Sequence, residues 1–120
     1  MGDGKDEKDT AMSDSALAEF DEGNFDQEVL SAEGLVLVDF WNESCLPCKQ
    51  LNKVLTQLAT EIPPEVRIGK VDTAAHPALA ERFGIRGVPA VLFFKGGAVV
   101  EMRSGVDRRQ VLKKLVETHA

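Results

Sequence analysis

The sequence predicts an α/β fold, a central mixed five-stranded sheet flanked by four helices in three α/β/α layers. Three observations carry this expectation. The run Leu35 to Trp41 is apolar on both faces except at Asp39, as a central strand covered on both sides must be. Around it, strand-like runs alternate with segments whose apolar residues recur at helical spacing. Near the end, Lys95-Gly96-Gly97 joins two strand-like runs by a tight hairpin, and an amphipathic helix follows.

The elements follow in order. Met1 to about Asp14 is rich in charge and poor in apolar residues, so it cannot bury enough surface to offset its ordering entropy and is expected as a flexible acidic tail over residues 1–14. A single domain is expected over 15–120. Ser15 to Phe20 is a short strand candidate anchored by Leu17. Asn24, with Gln27 three positions on, has the form of a capping box, and Phe25, Val29 and Leu30 give the helical face that Gly34 ends. After the Leu35 to Trp41 strand, Leu51, Val54, Leu55, Leu58 and Ala59 line one face of a helix that Pro63-Pro64 terminates. Val66 to Val71 is a strand. Ala74 to Phe83 is a short helix, with Pro77 in its first turn and Gly84 after it. Ala90 to Phe94 and Ala98 to Met102 are the hairpin strands. Asp107 with Gln110 forms a second capping-box pattern, before the face Val111, Leu112, Leu115 and Val116.

Bulk properties narrow the function. At 120 residues the chain suits one domain, and with 43% hydrophobic residues it needs no covalent staple to fold. The formal net charge is -6, which argues against a nucleic-acid partner. The acid is concentrated at the start: residues 1–33 hold eleven Asp or Glu against Lys5 and Lys8. No apolar run is long enough to span a bilayer, and no charged-then-apolar leader pattern opens the chain, so a cytoplasmic address is expected. In that compartment thiols stay reduced, which makes a Cys-x-x-Cys pair redox-active or metal-binding rather than structural.

The only two cysteines, Cys45 and Cys48, stand three apart at the start of the helical pattern that follows Trp41. Free amides and the positive end of the helix dipole favour an anion at that position, so the Cys45 thiol is expected to ionise readily. Cys48 lies one turn deeper, within reach of a disulfide. Pro47 fits a first turn that has no amide bond to lose, and stiffens it. This arrangement suits dithiol–disulfide exchange: one thiolate attacks a partner's disulfide and the second thiol resolves the mixed disulfide. The buried second thiol needs a proton acceptor. Asp39, alone in an apolar strand, is the candidate, its carboxyl raised towards neutrality by desolvation, with Lys70 on the neighbouring strand as its partner.

The blander readings stand beside these. Two cysteines could be half of a zinc site, but only His76 and His119 remain to complete it, so no metal is expected. Asp39 could be a strand residue paired structurally with Lys70, Trp41 could be core, and Pro89 an ordinary loop proline. Glu43, Lys49 and Arg86 read as solvated rim charges, His76 as a helix-start residue and His119 as a frayed terminus.

From about Ser15 to His119 the chain resembles the thioredoxin family, as a Cys-Leu-Pro-Cys variant of its motif. The resemblance rests on Val38-Asp39-Phe40-Trp41 before the cysteines, the Cys-x-Pro-Cys-Lys run, Lys70, the stretch Gly84-Ile85-Arg86-Gly87-Val88-Pro89, the Lys-Gly-Gly hairpin and Gly105. It implies the thioredoxin fold and protein-disulfide reduction through a Cys45–Cys48 redox disulfide, with no bound cofactor. It implies Cys45 as attacker, Cys48 as resolver, Asp39 as the buried acid–base group, and Trp41, Lys70 and Pro47 as auxiliary residues. It further implies a cis Pro89 and a partner-binding rim of Gly87, Val88, Pro89 and Gly105, with Leu46 beside it. A thioredoxin reductase as electron donor, protein disulfides as substrates and a monomeric state follow from the same likeness. Three departures stand out: Ser44 where the family usually has Trp, Leu46 where it has Gly, and Lys53 where it has a helix-kinking Pro. Ser44 and Leu46 flank the nucleophile and are expected to alter partner choice and redox poise. Lys53 is expected to leave the helix straighter. The rival reading is a thioredoxin-fold interaction module, docking one partner by its tail or altered rim, with slow redox turnover.

Overall fold

The computed structural model describes residues 17–120. The expected acidic tail, and the first two residues of the expected first strand, lie outside the described residues. Among the described residues five strands and four helices follow in order: β1 (Ala18–Glu19), α1 (Asp26–Leu30), β2 (Leu35–Trp41), α2 (Leu46–Ala59), β3 (Arg67–Asp72), α3 (Pro77–Arg82), β4 (Ala90–Lys95), β5 (Ala98–Ser104) and α4 (Arg109–His119). The sheet order is β1-β3-β2-β4-β5. β1, β3 and β2 run parallel, while β4 and β5 are antiparallel to their neighbours.

β2 is central and buried along six of its seven residues. Its side chains alternate between two separate cores, as the pleat requires. Leu35 and Leu37 join Val91, Phe93 and Ile68 beneath Leu51, Leu55 and Leu58 of α2 and Leu112 and Val116 of α4. Val36, Val38 and Phe40 join Leu92, Phe94 and Val71 on the other face, against Phe25 and Val29 of α1 and Leu79 of α3. The three-layer expectation is therefore met. The second core is aromatic: Phe25 meets Phe20 and Phe94 edge-on, with ring centroids 6.1 and 5.7 Å away.

Several local expectations are corrected. α1 is one widened turn, closed by a bond from the Ser31 N–H to the Asp26 carbonyl. Asn24 does not cap it. Its Oδ1 instead accepts the Asp21 N–H at 2.9 Å, while the Asp21 carboxylate accepts the Gly23 and Asn24 amides, so the polar cluster is spent on a turn. The second capping box is absent for a similar reason: Asp107 forms a two-pronged pair with Arg103, at 2.9 and 3.2 Å. α3 starts at Pro77 rather than Ala74, because Asp72 Oδ1 accepts the Ala74 and Ala75 amides and holds a turn there. His119 is not frayed. Its Nε2 lies 3.1 Å from Glu101 Oε1, and Lys95 Nζ donates to its carbonyl at 3.2 Å. The hairpin is as expected, since Gly96 and Gly97 both take positive φ, at 61° and 83°, which a two-residue turn of matching twist requires.

β1 is held to β3 through Gly69, which is buried opposite Ala18. A Cβ added there would enter the Phe20 ring and come within 3.0 Å of the Ala18 carbonyl oxygen. Gly69→Ala is therefore expected to destabilise the fold by about 1–3 kcal/mol, as overpacking does. Urea unfolding with the disulfide kept oxidised checks this; an unchanged midpoint and slope would contradict it.

Candidate functional site

β2 ends at Trp41, and the turn that follows is built by Asn42. Its Oδ1 accepts the Ser44 N–H at 3.1 Å and the Ser44 hydroxyl at 3.0 Å, while its carbonyl accepts the Cys45 N–H at 3.3 Å. Ser44, at the position of the family's usual tryptophan, is thus folded back into the turn by a short polar side chain. The chain enters α2 with Cys45 in extended conformation as its N-cap and Pro47 in the first turn. Where Ser or Asp commonly caps a helix, a sulfur does so here: Cys45 Sγ accepts the Cys48 N–H at 3.1 Å. α2 then runs unbroken for fourteen residues, with Lys53 inside it, and it keeps the apolar face that the spacing predicted.

Cys45 and Cys48 are joined as a disulfide, with Cα atoms 5.2 Å apart. The two sulfurs differ in surroundings. Cys48 is 1% exposed, whereas Cys45 is half-buried at the surface and Leu46 beside it is 73% exposed. Pro47 is exposed as well.

Beneath α2, Asp39 points to the same side of the sheet as Leu35 and Leu37. It is the one buried charged side chain among the described residues, and neither carboxyl oxygen has a hydrogen-bond partner. Burial pushes its carboxyl up to about 7, and the nearby Lys70 charge only partly offsets that. Lys70 is Asp39's neighbour in the β2–β3 register, as expected, but no ion pair joins them. Its Nζ lies 5.0 Å above the Trp41 ring instead, a cation–π contact. Asp39, Trp41 and Lys70 line a cavity of about 310 Å³ together with Lys49, Asn52 and Lys53.

The other expected rim residues gather separately. The Val88–Pro89 peptide is cis. Pro89 leads directly into β4, whose Ala90 pairs with Phe40, so it lies at the same end of the sheet as Trp41. The Gly105 N–H donates to the Pro89 carbonyl at 3.0 Å. Gly87, Val88, Pro89 and Gly105 line one cleft of about 390 Å³, with Ile85 and Met102 among its other walls. Cys45, Leu46 and Pro47 line neither the cleft nor the Asp39 cavity. Sequence reasoning missed Asn42, Asn52 and Met102. Asn42 carried the signal of a turn-forming side chain just after a strand, and Asn52 that of a polar residue one helical turn beyond Cys48, between the core positions Leu51 and Leu55. Met102 carried none, because an apolar residue on a hairpin strand reads as core. Among the described residues no three His, Cys, Asp or Glu side chains gather as metal ligands would, and no helix is long and apolar enough to cross a membrane.

Comparison with known proteins agrees with this geometry. The thioredoxin family model matches residues 16–118. Thioredoxin 1 of Nostoc sp. is 36% identical over 105 residues, covering 88% of this chain and 98% of that protein. The thioredoxin of Chlamydia muridarum is 47% identical over 88 residues, covering 73% and 85%. Among solved structures, a mutant thioredoxin from Halobacterium salinarum superposes with a TM-score of 0.78 at 31% identity, covering 86% of this chain and 89% of that one. With the family matched over nearly its whole length and a disulfide at the Cys-x-x-Cys spacing, this chain belongs to the thioredoxin family and is a thiol–disulfide oxidoreductase that reduces protein disulfides through Cys45 and Cys48.

Proposed function

We propose that Cys45 is the attacking thiol, Cys48 the resolving thiol and Asp39 the proton acceptor, in a cytoplasmic, monomeric disulfide reductase that works without a bound cofactor and is recharged by a thioredoxin reductase. The observation that carries this reading is the bond from the Cys48 amide to Cys45 Sγ. A donor and a helix N-terminus aimed at the more exposed sulfur favour its thiolate.

The steps balance in atoms and electrons. The Cys45 thiolate attacks one sulfur of a partner's disulfide, a mixed disulfide forms, and the partner's other sulfur leaves as a thiolate. Cys48 then passes its proton to Asp39, directly or through a water, and attacks Cys45 Sγ. The Cys45–Cys48 bond forms, the bond to the partner breaks, and the partner's second sulfur leaves and takes a proton. Two electrons have moved from the dithiol to the partner. A carboxylate whose affinity for protons lies near pH 7 suits this exchange, since it accepts and releases a proton close to working conditions.

Partner chains bind at the cleft of Gly87, Val88, Pro89 and Gly105, where the Val88 backbone pairs with the bound segment as an added strand. Leu46, next to Cys45 in the chain and strongly exposed, supplies an apolar contact that a glycine would lack. Trp41 and Lys70 wall the acid–base cavity, and Pro47 fixes the first turn of α2.

Two outcomes are expected. With dithiothreitol, and separately with a thioredoxin reductase, the wild type catalyses insulin reduction. Cys48→Ser instead abolishes turnover and accumulates thiol-sensitive adducts through Cys45. Failure of the wild type in both assays, with tight binding to a single protein, would favour the interaction-module reading. The second outcome concerns Asp39. Its folded carboxyl loses a proton near pH 7, against an ordinary value of 3.8, so between these values the folded state holds the extra proton. Stability therefore falls as pH rises through that window and is level above it. Relative to Asp39→Asn, the oxidised wild type should lose on the order of 4 kcal/mol between about pH 4 and about pH 8, read by urea unfolding. An equal difference at both pH values would contradict the buried-carboxyl account.

A further inference from the structure

The cavity beside Asp39 holds a residue to which the exchange reaction has so far given no task. Asn52 is half-buried on α2, one turn beyond Cys48, and its Oδ1 is buried without a hydrogen-bond partner. It lines the same 310 Å³ space as Asp39, whose two oxygens are likewise without partners. With Trp41 Nε1, four buried polar atoms without partners belong to residues lining this one cavity. They are costly unless something polar serves them, and a volume of this size with several polar walls suits one or more waters. The exposed Lys49 and Lys53 complete the wall on the α2 side.

We propose that Asn52 is a positioning residue for proton transfer: its carboxamide holds the water that links the Asp39 carboxyl to solvent through this cavity, so that the buried acid can be reset after taking the Cys48 proton. An amide suits the task because it offers both donors and an acceptor and does not itself titrate. Alanine or leucine at this place would leave a dry wall. The charged groups that share the cavity with Asp39 are Lys49 and Lys53 from α2 and Lys70 from β3, with Glu19 of β1 beside Lys70 in the register. β4 contributes the uncharged Val91 opposite Asp39. Asn52 is the only uncharged hydrogen-bonding chain on the α2 wall of the cavity.

The inference rests on Asp39 as the proton acceptor, and the test separates the two. Reduced full-length protein is mixed in stopped flow with an aromatic disulfide whose thiolate product absorbs visibly. Attack by Cys45 releases the first thiolate and resolution by Cys48 the second. Asn52→Ala should slow the second phase near neutral pH by about tenfold, less than the hundredfold or more that loss of an acid–base group entails. It should leave the first phase unchanged and add no slowing in an Asp39→Asn background. In oxidised protein, carbon NMR of the Asp39 carboxyl should show its midpoint moved upward by about half a pH unit or more, because the charged form has lost solvation. Asn52→Ser, which keeps a polar oxygen, should restore most of the rate, and Asn52→Leu should not. An altered melting temperature with an unchanged second phase and unchanged midpoint overturns the proposal. So does a slowed Asp39→Asn beside an unaffected Asn52→Ala, which leaves Asp39 its role. An unaffected Asp39→Asn removes both.

Discussion

The hydrogen bond from the Cys48 amide to the Cys45 sulfur is the contact on which the rest of the active site depends. It exists because a cysteine occupies a capping position that an oxygen-bearing side chain would otherwise take, and because Pro47 and the Asn42 turn bring the chain into α2 in one conformation. One amide thereby gives two chemically equal thiols different environments. The sulfur at the surface accepts the helix donor, and the one a turn deeper is sealed by the core.

The scaffold serves that asymmetry. α2 is packed on the sheet beside α4 through Leu51, Leu55, Leu58, Leu112 and Val116, all essentially without exposure, which anchors it over β2. β2 in turn carries Asp39 beneath that helix and ends at Trp41. The second, aromatic core lies on the opposite face of the sheet from Asp39. It fixes the sheet from behind and leaves the end near Cys45 free for loops. Against this apolar background a carboxyl without partners is a local penalty, and the fold tolerates it because two filled cores outweigh one strained position.

Much of this was legible in the sequence, for identifiable reasons. β2 announced itself because a strand buried on both faces has to be apolar throughout, which made Asp39 conspicuous. α2 was legible from the spacing of its leucines, and the hairpin from two consecutive glycines that only a left-handed turn needs. What escaped involved polar side chains with more than one possible partner. Asn24 and Asp107 matched capping patterns, yet each found a better bond, to the Asp21 amide and to the Arg103 guanidinium. Lys70 lies beside Asp39 as the strand pairing implied, but it turns to the Trp41 ring, a choice that depends on the space left beneath α2. Asn52 passed unnoticed because a lone asparagine in an amphipathic helix looks like any half-exposed residue until the cavity beneath it is seen.

The central claim is that the two thiols differ in acidity by placement alone. Measuring the rate at which each cysteine of the reduced protein is alkylated by iodoacetamide as pH rises, with peptide-level mass spectrometry to separate the two, tests it most directly. The account predicts that Cys45 reacts with a midpoint well below the ordinary thiol value of about 8.5, while Cys48 stays slow across the neutral range. Two cysteines alkylated together, both with an ordinary midpoint, would contradict it.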